Sequence, residues 1–292
     1  MTLARPHKLL LPFFIIMGLF FVLPLGLGLI YSFLKAAPYG GVIWEFSWEG
    51  YKRFFFVPDL SGVPVFDTGY LEIIFSSVKL AVITTILCVF IGFPTAWYMA
   101  TRPPKQRDLW IVLVTIPFWT NLLIRTYAWI LILRNDGLAN TILGKAGLID
   151  APLQLLYNEF AVTLGLVYSY LPFMILPIYA TLERMDWRLI EASEDLYANK
   201  ARTLWHIILP LCLPGILAGS VLVFIPAIGS FLAADMLGGS KQMMLGNLIE
   251  RQFFSSRNWP FGAAISVVVM GTVLFGLMLI AKRGQGIKDA LR

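Results

Sequence analysis

Residues Leu71–Ala100 read LEIIFSSVKLAVITTILCVFIGFPTAWYMA, an apolar run interrupted by only two charges, Glu72 and Lys79. A helix rises about 1.5 Å per residue and the hydrocarbon of a bilayer is about 30 Å thick, so some 20 residues of this kind cross it. Five more stretches pass the same test, and spans are expected at about Leu9–Leu34, Leu109–Leu133, Phe160–Leu182, Ile207–Ala234 and Trp259–Ala281. The first follows Arg5 and Lys8 as a secretion signal would. It is too long for the apolar core of a signal and no small-residue cleavage site follows, so it reads as a membrane helix.

Composition agrees. Of 292 residues, 58% are hydrophobic and 14% charged, with mean hydropathy +0.76, whereas a soluble domain carries about 25% charged residues. The net charge of +6 does not argue for a nucleic-acid partner, because the charges punctuate apolar runs instead of covering a solvated face. Cys88 and Cys212 lie inside apolar runs without zinc-site spacing and read as small core hydrophobes; neither a metal nor a cofactor is expected.

Basic loops are retained in the cytoplasm. With both termini inside, thirteen Lys and Arg fall on the cytoplasmic side, among them Arg5, Lys8, Arg102, Arg184, Arg188, Lys200, Arg202, Lys282, Arg283, Lys288 and Arg292; eight, Lys241 among them, fall in the longer outer loops. Prolines recur within the spans, at Pro12, Pro24, Pro94, Pro117, Pro172, Pro177, Pro214 and Pro226. Kinks at these positions suit a protein that encloses a pathway, and Pro is also simply commoner in membrane helices. Gly215 and Gly219 form a step at which another helix can approach closely.

The inner loop from Glu183 to His206 has a helical pattern. Asp186 can cap a helix beginning at Trp187. Leu189, Ala192 and Leu196 form a narrow apolar stripe beside an acidic face of Glu191, Glu194 and Asp195. Such a face repels anionic lipid and suits a protein groove.

The run Glu191-Ala192-Ser193, followed by Ile207-Ile208-Leu209-Pro210, resembles the E-A-A, three residues, G, nine residues, I-x-L-P signature of ABC importer permeases. Nine residues, Ala198 to His206, keep the spacing, while Ser193 replaces the second alanine and Tyr197 the glycine. Three further segments, Pro117–Trp129, Asn135–Asn140 and Asn258–Ala264, are similar to the first permease subunit of spermidine/putrescine importers. The resemblance implies an all-α integral membrane protein of six transmembrane helices with the type I importer permease (MetI-like) fold. Residues 1–292 would form one transmembrane domain and 183–206 its coupling loop. It also implies a bacterial inner-membrane location and the partners of that family: a cytoplasmic ATPase dimer, a second homologous permease and a periplasmic substrate-binding protein, all within membrane lipid. The expected function is half of the path for polyamines or a related small cation.

On that resemblance Glu191, Ala192, Ser193, Glu194, Leu196 and Tyr197 are the residues expected to seat on the ATPase. A tyrosine in left-handed dihedrals costs roughly 1 kcal/mol or more, and asparagine tolerates them better. The expectation is therefore a turn shifted to Asn199, with the first coupling helix longer by about half a turn and the Tyr197 ring packed on the ATPase beside Leu196.

A polyamine carries ammonium groups on an apolar linker, which aromatic faces and a few carboxylates stabilise. Trp119, Tyr127 and Tyr168 are the path candidates, with Asp235 at the outer end raising the local cation concentration. The same aromatics also suit an interfacial belt, and of Tyr168 and Tyr170, two positions apart, at most one faces a central path. Arg125 reads as structural, either snorkelling to the outer head groups or held in an internal network on the face it shares with Asn121 and Trp129; Lys79 carries the same two readings. The outer segment Lys35–Tyr70, with Trp44, Trp48, Tyr51 and Phe54–Phe56, is either a docking surface for the delivering protein or an interfacial helix.

The chain has no phosphate-binding G-x-x-x-x-G-K-[S/T], no G-x-S-x-G and no H-E-x-x-H, so it is not expected to be an enzyme, and its energy must come from a partner. The alternative is an ion-coupled secondary transporter of a small organic solute. Such folds show internal repeats and an intramembrane carboxylate, and neither is visible in this sequence.

Overall fold

The computed structural model describes residues 7–58, 64–239 and 242–290, with side chains between Leu11 and Met278. Arg5, Lys241 and Arg292, and the side chains of Lys8, Lys282, Arg283 and Lys288, lie outside the described set. In chain order, α1 (His7–Met17), a π-helical turn (Gly18–Val22) and α2 (Leu23–Tyr31) are followed by β1 (Leu34–Ala36), β2 (Val42–Phe46), α3 (Glu49–Lys52), β3 (Phe56–Pro58) and β4 (Pro64–Phe66). Then come α4 (Gly69–Ala100), α5 (Pro104–Trp119), α6 (Leu122–Leu133), α7 (Leu138–Lys145), α8 (Glu159–Glu183) and α9 (Arg188–Asp195). The chain continues through α10 (Lys200–Thr203), a second π turn (Leu204–Ile208), α11 (Leu209–Ile228), α12 (Leu232–Gly238), α13 (Leu245–Phe254) and α14 (Trp259–Ala290).

Five continuous helical runs are long and apolar enough to cross a membrane, and α5 with α6–α7 supplies a sixth as a broken pair bent by 89°. The third span therefore differs from the continuous Leu109–Leu133 of the sequence reading. Two local features end α5 and start α6. The Thr120 hydroxyl donates to the carbonyl of Pro117 at 2.7 Å, and the Asn121 side chain accepts from Leu123 N–H at 2.8 Å, an N-cap. The fifth span also stops early. α11 ends at Ile228, not Ala234, and the chain restarts as α12.

Each π turn ends two residues before a proline, Pro24 and Pro210. A proline ring crowds the preceding turn and donates no N–H, and a widened turn ahead of it relieves the clash.

The chain divides into two compact units, one made of residues up to Glu72 with Leu248–Ala281, the other centred on Ile73–Asn247. In the second, α8 and α11 pack tightly at the glycine step read from the sequence. A Cβ on Gly219 would stand 2.8 Å from Met174 Sδ, and one on Gly215 would stand 2.7 Å from the Pro177 carbonyl oxygen and overlap the Thr181 hydroxyl. Cys88 and Cys212 are buried in the same core with Met99, Met174, Ile178 and Leu182. A second cluster gathers Leu80, Leu133, Val162, Leu166, Leu237 and Met244. Lys79 is explained here: its ammonium sits 2.8 Å from the Glu159 carboxylate, which ties α4 to the start of α8.

The first unit carries strands that the all-helical pattern did not anticipate. β1 pairs with β2 and β3 with β4, both antiparallel, so the described residues of Lys35–Tyr70 form two strand pairs around one helical turn and not an interfacial helix. The rings of Phe33, Phe46, Trp48 and Tyr51 contact one another at 5.1–6.0 Å. Phe261, fully buried, holds Phe54 and Tyr70 at 5.6 and 4.9 Å between ring centres.

Candidate functional site

Two arrangements in the second unit bear on function. One is the loop between α8 and α10. The Asp186 carboxylate accepts from Arg188 N–H at 3.1 Å, but α9 begins at Arg188 and not at Trp187, so Trp187 holds the N-cap position without a side-chain cap and Asp186 lies one residue ahead of it. The face that α9 turns inward is Trp187, Ile190 and Ser193: the Trp187 ring lies 5.5 Å from that of Trp97, and Ser193 is buried. The stripe of Leu189, Ala192 and Leu196 therefore faces out, together with Glu191, Glu194 and Asp195.

The turn is not shifted. α9 ends at Asp195, before Tyr197, and Tyr197 itself takes the left-handed conformation at φ 56°. Its N–H donates to the Glu194 carbonyl at 2.9 Å and the Ala198 N–H to the Ser193 carbonyl at 3.0 Å, the pair of bonds that closes a helix on a left-handed residue. Asn199 is extended instead and caps α10, its side chain accepting from Arg202 N–H at 2.8 Å. The asparagine is committed to starting the next helix, which leaves the turn to the tyrosine. Leu196 and Tyr197 are 81% and 98% exposed, so the tip of the loop is an aliphatic and an aromatic side chain with no packing inside the chain.

The second arrangement is a cavity of about 450 Å³ among α5, α6, α8 and α11, lined by Phe118, Leu122, Arg125, Tyr170, Phe173 and Pro226 with their neighbours. The Tyr170 hydroxyl donates to the Pro226 carbonyl at 3.2 Å. The sequence reading had not grouped these residues; a lone cation and aromatics in otherwise apolar spans were the available signal. None of the four path candidates lines the cavity. Trp119 is 86% exposed at the end of α5, Tyr127 is exposed on α6, Tyr168 packs edge-on against Trp129 at 5.6 Å, and Asp235 is exposed on α12. No ring contact joins Trp119, Tyr127 and Tyr168 among the described residues.

Residues 73–285 match the model of the family described as binding-protein-dependent transport system inner membrane component, and the chain belongs to that family. It is 46% identical over 215 residues to the spermidine/putrescine transport system permease protein PotB of Haemophilus influenzae, which covers 74% of each chain. It is 44% identical over 214 residues to the PotB of Escherichia coli, covering 73% of this chain and 77% of that one. Among solved structures it resembles a bacterial ABC transporter involved in the import of the acidic polysaccharide alginate, with TM-score 0.67 and 17% identity over 94% of both chains, a likeness of fold. The protein is thus a multi-pass inner-membrane permease with the importer-permease fold. Membership in a binding-protein-dependent system sets aside the ion-coupled secondary transporter.

Proposed function

We propose that this chain is one permease half of an ABC importer for spermidine, putrescine or a closely related cation. It works beside a second homologous permease, receives its cargo from a periplasmic binding protein and is driven by a cytoplasmic ATPase dimer. In this reading the whole chain is one non-catalytic transmembrane domain, both termini lie in the cytoplasm and residues 183–206 are the coupling loop. The PotB relatives support the polyamine cargo.

The observation that carries the coupling role is the outward face of α9. Acidic Glu191, Glu194 and Asp195 and apolar Leu189, Leu196 and Tyr197 project from a hairpin whose inner face is anchored by Trp187, Ile190 and Ser193. An exposed helix end on a packed base moves as a lever when its partner moves. Glu191→Lys places a cation where a partner groove expects an anion, and mispairing a partly buried charge costs several kcal/mol. The expected result is loss of ATP-driven uptake with normal membrane insertion and an unchanged level of chain; uptake unaffected by Glu191→Lys contradicts the coupling role. For the path, Trp119, Tyr127 and Tyr168 would offer ring faces to the cation and Asp235 would concentrate it at the entrance. Single replacement of each by Ala is expected to lower uptake with ATPase assembly intact, and normal uptake in all four variants contradicts this assignment.

A further inference from the structure

Arg125 lies at the cavity among α5, α6, α8 and α11, its Nε buried without a hydrogen-bond partner, and it forms no ion pair among the described residues. The cavity runs from Tyr170 and Phe173, eleven and fourteen residues into α8, to Pro226, two residues from the end of α11, and Leu122, the first residue of α6. A guanidinium whose Nε is buried against such a lining is stabilised by an anion.

Among the described residues none pairs with it. No Asp or Glu occurs within α6 or α11, the one acid of α5, Asp108, lies ten positions before Phe118, and in α8 only the end residues Glu159 and Glu183 are acidic. Glu159 is already engaged by Lys79 and Glu183 by the Tyr179 hydroxyl. A cationic cargo is repelled by Arg125 and cannot be the counter-charge. Apart from Ser169 and Tyr170 the remaining lining is apolar, and it is partly open, with Phe118 and Leu222 exposed, so it accepts an apolar helix carrying a single acid.

We propose that the cavity is the seat of an acidic side chain from the second permease subunit, whose carboxylate pairs with Arg125 and fixes the register of the two permeases. The inference rests on the importer reading above, which supplies the second permease. In a low-dielectric site such a pair is short and directional, and removing one member leaves the other charge buried and alone.

The test uses the assembled importer in membranes. In the wild type, recovery of the ATPase and the second permease with this chain tests the importer reading by itself; failure there removes that reading before any variant is considered. With the wild type assembled, Arg125→Met is expected to lower recovery of the second permease about tenfold or more and Arg125→Lys to retain most of it. Membranes holding Arg125→Lys are then treated with dicyclohexylcarbodiimide. The reagent activates a buried carboxyl, the lysine amine displaces dicyclohexylurea, and an amide forms. Mass spectrometry should place that amide between position 125 and an Asp or Glu of the second permease. An amide to this chain's own Asp235, loss of a bound anionic lipid from Arg125→Met, or unchanged recovery in Arg125→Met with no crosslink each overturns the pairing while leaving the importer reading intact.

Discussion

The hydroxyls of Ser193 and Thr203 stand 2.9 Å apart and join α9 to α10 across the turn at Tyr197. The Ser193 hydroxyl also lies 2.7 Å from the Ile190 carbonyl and the Thr203 hydroxyl 3.3 Å from the Asn199 carbonyl, so either can donate across the gap. Both residues are buried, so this bond sets the distance between the two arms of the hairpin.

Ser193→Ala removes this partner and leaves the Thr203 hydroxyl to its weaker 3.3 Å alternative at the Asn199 carbonyl. The expected cost is about 1 kcal/mol locally. Hydrogen exchange at the Ala198 and Arg202 amides should quicken several-fold, and protection equal to wild type contradicts the bond.

Tyr197→Gly keeps the left-handed turn and relieves its strain, a gain of about 1 kcal/mol. Chain stability in detergent should rise or stay level. If the exposed ring seats on the ATPase, stimulation of ATP hydrolysis by loaded binding protein should fall in the same variant. Equal stimulation in Tyr197→Gly shows that the ring adds nothing beyond the turn. Tyr197→Val, β-branched and unsuited to positive φ, should loosen the hairpin.

Gly219→Leu drives a side chain into Met174 where α8 and α11 touch, and overpacking of this kind costs about 1–3 kcal/mol. A lower midpoint of thermal unfolding in detergent is expected, and Gly219→Ala should fall between the two. A midpoint unchanged in Gly219→Leu contradicts the close approach.

Asn140 is buried and clamps the chain beyond α7: its amide donates to the Leu153 carbonyl at 2.9 Å and its carbonyl accepts from the Leu153 N–H at 2.9 Å. Asn140→Ala strands both backbone groups at a cost of about 1–3 kcal/mol. Proteolysis between Gly147 and Tyr157 should become several-fold faster; an unchanged rate argues that the clamp is dispensable.

Much of this fold is legible in the sequence because burial in lipid is a matter of composition: Leu71–Ala100 and Phe160–Leu182 fall within a residue or two of α4 and α8. The broken third span was written there too, in Pro117 followed by a capping Asn121, but an apolar run of the right length masks a break. The π turns depend on how a helix accommodates a proline, and nothing local distinguishes Pro24 and Pro210, which have them, from Pro94, which does not. At the loop between α8 and α10 the motif spacing identified the turn, and conformational preference then misplaced it. Asn199 tolerates positive φ, yet it is worth more as the cap of α10, and closure of α9 holds Tyr197 in place. The cavity at Arg125 was not legible, because residues more than forty positions apart meet there only after α5, α8 and α11 have packed.

The central claim is that transport needs a delivering protein and ATP hydrolysis on a partner chain, with a polyamine as cargo. It is tested most directly by radiolabelled spermidine uptake into proteoliposomes holding this permease, its partner permease and ATPase, with binding protein outside and ATP inside. The account predicts uptake that requires both additions, is abolished by Glu191→Lys and survives collapse of the ion gradients. Uptake that proceeds without ATP or binding protein and stops when the ion gradients collapse would contradict it.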